Sequence, residues 1–250
     1  MNLPRRLNEI RLAAMFLTRL PVGRLRDPVP VLADCAWAFP LIGLPVGLAG
    51  WAVQAGALWL GLPALVAALA AVAAMALLTG ALHHDGLADV ADGFGGGRTA
   101  DRALEIMRDS RIGSYGTLAL VLAVGLEAAA LAGIAGGAPL SAFLLIAVAS
   151  RVAMLAALLW MPAVRQDGLG HSAVGPGPGA LGIGGLLVLA CAVPLGAAAL
   201  PVLACAGLGA LSVARRALRR IGGQTGDVLG AVQVVSAVSG WLAASALLGP

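Results

Sequence analysis

Residues 35–82 read CAWAFPLIGLPVGLAGWAVQAGALWLGLPALVAALAAVAAMALLTGAL, which is 48 consecutive positions without Asp, Glu, Lys, Arg or His. A membrane-spanning helix needs about 20 mostly apolar residues, so this stretch is long enough for two. Residues 172–214 and 228–250 form two further uncharged runs. Over all 250 residues, 60% are apolar and 11% charged, whereas soluble proteins carry about 25% charged residues. The sequence therefore predicts an all-α fold, a polytopic integral membrane helical bundle.

The apolar segments predict about seven transmembrane helices, near 35–57, 62–82, 115–135, 140–161, 180–198, 199–214 and 228–248. Residues 1–30 are different, because Arg11 and Arg19 interrupt their apolar stretch. A cleavable signal peptide would need an uninterrupted apolar core. We therefore expect an N-terminal interfacial helix that lies on the membrane surface.

The arginines predict an orientation. They concentrate at the N-terminus, in 98–111, at 165 and in 215–220, and each of these segments is separated from the next by an even number of predicted spans. The positive-inside rule makes their common side cytoplasmic. The N-terminus and the segment 83–114 are then cytoplasmic, and the C-terminus is outside. The basic residues are not interleaved with aromatic ones, so no nucleic-acid partner is predicted.

Acidic residues concentrate in one segment, HHDGLADVADGFGGGR, at 83–98. Asp85, Asp89 and Asp92 stand at i, i+4 and i+7, so they share one face of a helix. Three carboxylates in a row at a membrane interface repel one another. Magnesium relieves such repulsion and prefers carboxylate oxygen together with substrate phosphate and water. Asp227, at the start of the last span, completes the predicted metal site if it lies at the same depth.

A second polar cluster, which includes Arg108, Asp109 and Arg111, follows the aspartate row. Arginine side chains suit forked contacts with phosphate oxygens. We expect this cluster and the aspartate row to form two walls of one cytoplasmic pocket.

Three polar residues elsewhere stand out. Arg151 lies in the middle of a predicted span and needs a partner, for which Glu127 on the preceding span is the nearest candidate by depth. Asp167 and His171 fall on a predicted cytoplasmic loop.

These motifs carry a resemblance to a known family. The stretch DGLADVADG at 85–93 resembles the signature of cobalamin-5′-phosphate synthase, also called adenosylcobinamide-GDP ribazoletransferase. Four other segments are similar to that family in the same order, which extends the resemblance over essentially the whole chain: FLTRLPV at 16–22, EIMRDSRIG at 105–113, SR at 150–151 and GGQTGDVLGA at 222–231.

The resemblance implies a single membrane transferase domain over 1–250, with 83–114 as its active-site helix and loop. It implies that adenosylcobinamide-GDP and α-ribazole, or α-ribazole 5′-phosphate, yield adenosylcobalamin, or its 5′-phosphate, and GMP, with Mg²⁺ required. The partners are then small-molecule substrates and the lipid bilayer of the bacterial cytoplasmic (inner) membrane. Whether the protein also forms a homo-oligomer is not decided by the resemblance.

The residues fit that chemistry as a hypothesis. Asp85, Asp89, Asp92 and Asp227 hold one or two Mg²⁺ across the pyrophosphate, where metal ions and arginines stabilise charge on the phosphate oxygens. Asp92 or His83 takes the proton from the ribose hydroxyl. A further set binds substrate or phosphate, namely Arg108, Arg111, Asp109 and Thr225.

Two other functions remain as alternatives. A lipid-directed CDP-alcohol phosphotransferase has a similar aspartate row, but its signature has an arginine where this chain has Asp89, and the spacing to its further aspartates is longer. A membrane transporter would use Arg151 and Glu127. Transporter sites lie near the bilayer midplane, whereas most ionisable residues of this chain lie near one predicted face.

Overall fold

The computed structural model describes residues 3–134, 136–165, 173 and 179–249, and helices form nearly all of its regular structure. Within these residues the only β-bridge is an isolated parallel one between Ala163 and Gln224. The α-helices are α1 Leu3–Leu17, α2 Leu32–Cys35, α3 Phe39–Trp59, α4 Ala64–Leu78, α5 Leu82–Gly96, α6 Ala100–Ile106, α7 Ser114–Ala132, α8 Leu140–Trp160, α9 Ala180–Ala192, α10 Ala199–Ile221 and α11 Gly226–Leu248. Short 3₁₀ helices occupy Ala36–Ala38 and Val193–Ala198. The all-α membrane fold predicted from the sequence is confirmed.

Candidate membrane spans can be counted by length and apolar composition. The described chain has five such helical stretches, or six if α4 and α5 form one bent span. One of the five, Ala180–Ile221, is 42 residues long and is broken at Gly196, whose φ of 56° and ψ of −134° are not helical. If the parts of this stretch before and after the break cross separately, the total is the seven that the sequence predicts.

Contacts at its two ends indicate that this long stretch turns back on itself. Near the start of α9, Gly184 packs against Val152 of α8 and Pro40 of α3. At the far end of α10, Arg220 donates a hydrogen bond of 3.1 Å to the carbonyl oxygen of Phe94. Both contacts lie at the end of the bundle where α3 and α11 begin and where α4, α8 and α10 end. We call it the arginine-rich end, because the described arginines outside α8 concentrate there.

Helix α5 turns away from α4 by 93°. The turn consists of Thr79, Gly80 and Ala81, and both Gly80 and Ala81 have positive φ. The backbone N–H of Arg19 donates a hydrogen bond of 2.7 Å to the carbonyl oxygen of Leu78, which satisfies one of the acceptors left at the end of α4. The right-angle turn lays α5 across the starts of α7 and α11.

Helix α1 packs more deeply than a purely interfacial helix. Its Ala13, Ala14 and Leu17 are buried, while Leu3 and Leu7 are exposed. Glu9 is only 1% exposed, and its carboxylate accepts hydrogen bonds from Arg5, from Arg6 at 2.7 Å and from the indole N–H of Trp37 at 2.7 Å. Helix α1 therefore keeps exposed apolar side chains, while the buried residues of its other face and the hydrogen bonds of Glu9 fix it to the bundle.

Helices α3 and α8 approach closely through two glycines one turn apart. A Cβ atom at Gly43 would lie 2.7 Å from the carbonyl oxygen of Ala147, and one at Gly47 would lie 2.7 Å from that of Phe143. Small residues at this spacing allow two membrane helices to pack backbone against backbone.

Substitution of either glycine tests this packing. We expect Gly43→Ala and Gly47→Ala each to lower the free energy of unfolding by about 1–3 kcal/mol, because the added methyl group meets backbone that cannot rotate away. Denaturation of the purified protein in detergent measures the change.

Gly56→Ala in the same helix is the matched control, since nothing lies within 4 Å of its Cβ position. It should stabilise the helix by up to about 1 kcal/mol. Equal losses at all three positions would contradict the packing role.

Candidate active site

The site is built on the crossing of α5 and α11. A Cβ atom at Gly86 of α5 would lie 2.7 Å from the carbonyl oxygen of Asp227, and one at Gly230 of α11 would lie 3.1 Å from that of His83. Side chains at these positions would push the helices apart. The two glycines therefore place the aspartate-bearing face of α5 beside the first turn of α11.

This crossing brings the carboxylates together. Asp89 is half-buried, and its charge is repelled by Asp227, Asp85 and Asp92. Arg165, which follows the end of α8, offsets part of the repulsion. Asp227 thus lies close to the aspartate row, as the hypothesis of a shared metal site requires.

Asp227 is fixed by two neighbours. Its carboxylate accepts hydrogen bonds from the guanidinium of Arg165 at 3.1 Å and from the hydroxyl of Thr225 at 3.3 Å. Thr225 also caps α11, because its side-chain oxygen accepts a hydrogen bond from the backbone N–H of Val228. The other terminal nitrogen of the Arg165 guanidinium, Nη2, donates a hydrogen bond of 3.2 Å to the carbonyl oxygen of Leu104 in α6.

The segments before α11 and after α8 are joined by backbone hydrogen bonds. Val164 N–H donates to the carbonyl oxygen of Gln224 at 3.0 Å, and Gln224 N–H donates to that of Pro162 at 2.8 Å. These bonds hold Arg165 next to Asp227. They also fix the backbone of Gln224, whose side chain is buried.

A cavity of about 320 Å³ lies beside these residues. Asp85, His83, Arg165, Thr225 and Asp227 contribute to its polar wall. Its remaining lining residues are mostly apolar: Phe16, Leu17, Phe39, Leu82, Gly86, Met154, Leu158, Gln224, Gly226, Leu229 and Gly230. Such a mostly apolar cavity with a few convergent polar groups is typical of a binding site for a small molecule.

Comparisons with known proteins agree on one family. The sequence model of cobalamin-5-phosphate synthase matches residues 9–245. The chain belongs to the cobalamin-5-phosphate synthase family. No solved structure matches it.

Curated relatives carry the name adenosylcobinamide-GDP ribazoletransferase. The protein of Bradyrhizobium diazoefficiens is 47% identical over 230 residues, which cover 90% of this chain and 88% of the relative. That of Azorhizobium caulinodans is 47% identical over 240 residues, with 91% of each chain covered. That of Mesorhizobium japonicum is 42% identical over 254 residues, with 97% and 94% covered.

The geometry gives Asp92 a different position from the other aspartates of the family signature. It is only 9% exposed and, like Asp89, is not among the described residues that line the cavity. Its two carboxylate oxygens accept hydrogen bonds from the backbone N–H groups of Gly113, at 2.7 Å, and Gly116, at 2.8 Å. These are donors at the start of α7, so Asp92 caps that helix.

The loop between α6 and α7 lies apart from the cavity. Arg108, Asp109 and Arg111 are exposed and are not among the residues described as lining it. Arg111 pairs with Asp109 at 2.7 Å, and hydrogen bonds from its side chain and backbone lower the pKa of Asp109 to about 2. Their role in binding phosphate stays a prediction.

Arg151 and Glu127 line a second, smaller cavity of about 50 Å³ with His83, His84 and Gln233. The residues described contain no direct ion pair between Arg151 and Glu127. Instead, Arg151 donates to the carbonyl oxygen of Ala147 on its own helix, at 2.9 Å. The two residues therefore line one cavity without a direct ion pair between them. Asp167 and His171 lie outside the described residues.

Sequence reasoning missed two residues of this site. The sequence pattern indicated only a topological role for Arg165. It assigned no role to Gln224, which precedes Thr225 in the segment GGQTGD. Their position beside Asp227 depends on the bridge between Ala163 and Gln224, which pairs segments about 60 positions apart without a regular strand. The one available signal was the proximity of Gln224 to Asp227 in sequence.

The capping contact of Asp92 can be tested by substitution. We expect Asp92→Ala to lower the free energy of unfolding by about 2 kcal/mol, because it leaves two backbone N–H groups of α7 without a partner. Denaturation in detergent, with and without Mg²⁺, measures the loss.

Asp85→Ala provides the comparison, because Asp85 is an exposed aspartate of the same helix. Its stability in the absence of Mg²⁺ should equal or exceed that of the unmodified protein, since one repelling charge is removed. A stable Asp92→Ala variant would contradict the capping role.

Proposed function

We propose that this protein transfers the cobinamide-phosphate moiety of adenosylcobinamide-GDP to α-ribazole or its 5′-phosphate. The products are adenosylcobalamin, or its 5′-phosphate, and GMP. The observation that supports this function is the carboxylate cluster at the wall of a cavity, in a chain that belongs to the cobalamin-5-phosphate synthase family. The names of the relatives favour the same substrates.

Magnesium fits the donor chemistry of the cluster. Among the described residues, no three His, Cys, Asp or Glu side chains are gathered closely enough to hold a metal ion by themselves. Mg²⁺ commonly takes only one or two carboxylates and completes its shell with substrate phosphates and water. Asp85 and Asp227 supply such oxygens at the cavity wall, and their repulsion with the neighbouring Asp89 favours a cation.

In the proposed reaction, a ribose hydroxyl oxygen of α-ribazole forms a bond to the phosphorus atom that carries cobinamide. The bond from that phosphorus to the bridging oxygen breaks, and GMP leaves with the electron pair. Bound Mg²⁺ would stabilise the negative charge that develops on the phosphate oxygens. Arg165, at the same wall, orients Asp227 and contributes a fixed positive charge.

The proton of the attacking hydroxyl needs an acceptor within hydrogen-bond reach. Of the two candidates named from the sequence, His83 lines the cavity, and its buried Nε2 atom has no hydrogen-bond partner among the described residues. Asp92 faces α7 with both oxygens engaged. We therefore assign proton transfer to His83, and we assign Asp92 to positioning α5 against α7.

We further place the protein in the bacterial inner membrane with the arginine-rich end in the cytoplasm. The positive-inside rule supports this orientation, because that end collects arginines from several connections between spans. Nucleotide-bearing substrates would then reach the cavity from the cytoplasm. Arg108, Asp109 and Arg111, on the exposed loop at that end, are proposed to contact substrate phosphate during entry.

Release of GMP tests the proposed function. Purified protein in detergent should release GMP when adenosylcobinamide-GDP, α-ribazole and Mg²⁺ are all present, and EDTA should abolish the release. Asp89→Ala should reduce the rate by at least about 100-fold, the loss typical for removal of one charge-stabilising group.

Asp101→Asn is the matched control, because Asp101 is an exposed aspartate on α6 and should leave the rate unchanged. GMP release by Asp89→Ala at the rate of the unmodified protein would overturn the role of the cluster. Activity only with a CDP-alcohol and a lipid acceptor would keep the cluster and overturn the substrates.

A further inference from the structure

The cavity has an apolar wall that suits a flat ring. Phe16 of α1 and Phe39 of α3 lie with their ring centroids 5.9 Å apart and their planes tilted by 34°. Met154 and Leu158, one turn apart on α8, line the same cavity. Two aromatic rings and a flexible thioether make favourable contacts with an aromatic heterocycle.

The polar wall of the same cavity carries Asp85 and Asp227. A ligand that fills the whole space must therefore be apolar and flat at one end and must carry hydroxyl groups or phosphate at the other. A nucleoside with an apolar base has this character.

Size separates the two substrates of the proposed reaction. A volume of about 320 Å³ is at the lower end of small-molecule sites, which span about 300–1,000 Å³. A corrin macrocycle with its amide side chains is several times larger than this space. The cavity is therefore closer in size to the nucleoside acceptor than to the corrinoid.

Gln224 is one of three polar residues of the wall, with His83 and Arg165, that have an unpaired side-chain atom among the described residues. The side chain of Gln224 is 1% exposed, and within the described part of the chain neither its amide nitrogen nor its amide oxygen has a hydrogen-bond partner. Its backbone is held on both sides by Pro162 and Val164. A buried amide without partners costs free energy, and a hydrogen bond to a ligand atom would offset that cost.

We propose that this cavity binds α-ribazole and that Gln224 determines the choice of base. The benzimidazole ring packs against Phe16, Phe39 and Met154, and the amide N–H of Gln224 donates a hydrogen bond to the unsubstituted ring nitrogen. The ribose hydroxyl groups then face Asp85 and Asp227. The assignment rests on the proposed function, because α-ribazole is its acceptor.

Binding and kinetics of Gln224→Met test the assignment. Methionine keeps the length of the side chain and removes its hydrogen bonds. We expect the KM for α-ribazole, and the Kd for α-ribazole alone by calorimetry in detergent, to rise about 10-fold, the effect of one hydrogen bond. The KM for adenosylcobinamide-GDP should change less than twofold.

A base analogue isolates the hydrogen bond. An α-riboside in which a C–H replaces the unsubstituted ring nitrogen should bind the unmodified protein about 10-fold more weakly than α-ribazole does, and should bind Gln224→Met and the unmodified protein equally. Gln233→Met is the matched control, because Gln233 is a buried glutamine bonded to Ser150 outside this cavity. Gln233→Met should leave the KM and the Kd for α-ribazole within twofold of their values in the unmodified protein.

Met154→Phe probes the opposite wall if Gln224→Met does not fold. The larger ring should weaken binding of α-ribazole more than binding of the riboside of benzimidazole without methyl groups. A rise in the KM for adenosylcobinamide-GDP instead of α-ribazole, or no change in either, would overturn the assignment. Protein that binds α-ribazole but releases no GMP would contradict the proposed function and leave the assignment standing.

Discussion

The close approach of α5 to α11 is the constraint on which the rest of the site depends. Gly86 and Gly230 let the two backbones touch, and the contact gathers four like charges at the end of an apolar bundle. Repulsion among them would separate the helices if α5 were held only by this crossing. Three other contacts oppose that separation: the right-angle turn at Gly80 and Ala81, the cap that Asp92 places on α7, and the hydrogen bond from Arg220 to the end of α5. Contacts outside the charge cluster therefore offset the repulsion within it.

Much of this arrangement could be predicted from the sequence, because the signals were strong and local. Long uncharged runs locate the spans, and the spacing of Asp85, Asp89 and Asp92 assigns them to one helical face. That spacing does not say which helix covers the face. Asp85 is exposed and Asp92 is buried against α7, so residues of one row have different tasks. Tertiary contacts between distant segments made this difference, and no local pattern encodes them. The same holds for Arg165 and Gln224, which reach the site through a single bridge.

The N-terminal helix shows how a predicted interfacial segment becomes part of the site. A buried carboxylate is costly unless it is paired and hydrogen-bonded. Glu9 has three donors, two arginines and the indole of Trp37. Burial acts to raise the pKa of Glu9, but these hydrogen bonds outweigh burial and lower that pKa below its usual value. The carboxylate thus stays charged and fixes α1 to the turn before α3. This attachment places Phe16 beside Phe39 at the cavity.

The two walls of the cavity come from different parts of the bundle. Phe39 of α3 and Met154 and Leu158 of α8 supply much of the apolar wall, together with Phe16 of α1. Helices α3 and α8 are apolar because they cross a membrane. The polar wall comes from α5, from the first turn of α11 and from the segment after α8, where the chain meets water and can carry charge. A substrate that joins an apolar heterocycle to a reacting hydroxyl needs both environments within one small volume. The end of a membrane bundle provides them side by side, because the change from apolar to charged residues occurs there over about one helical turn. The membrane location of this chemistry is then consistent with the character of the proposed acceptor, which is apolar at one end and polar at the other.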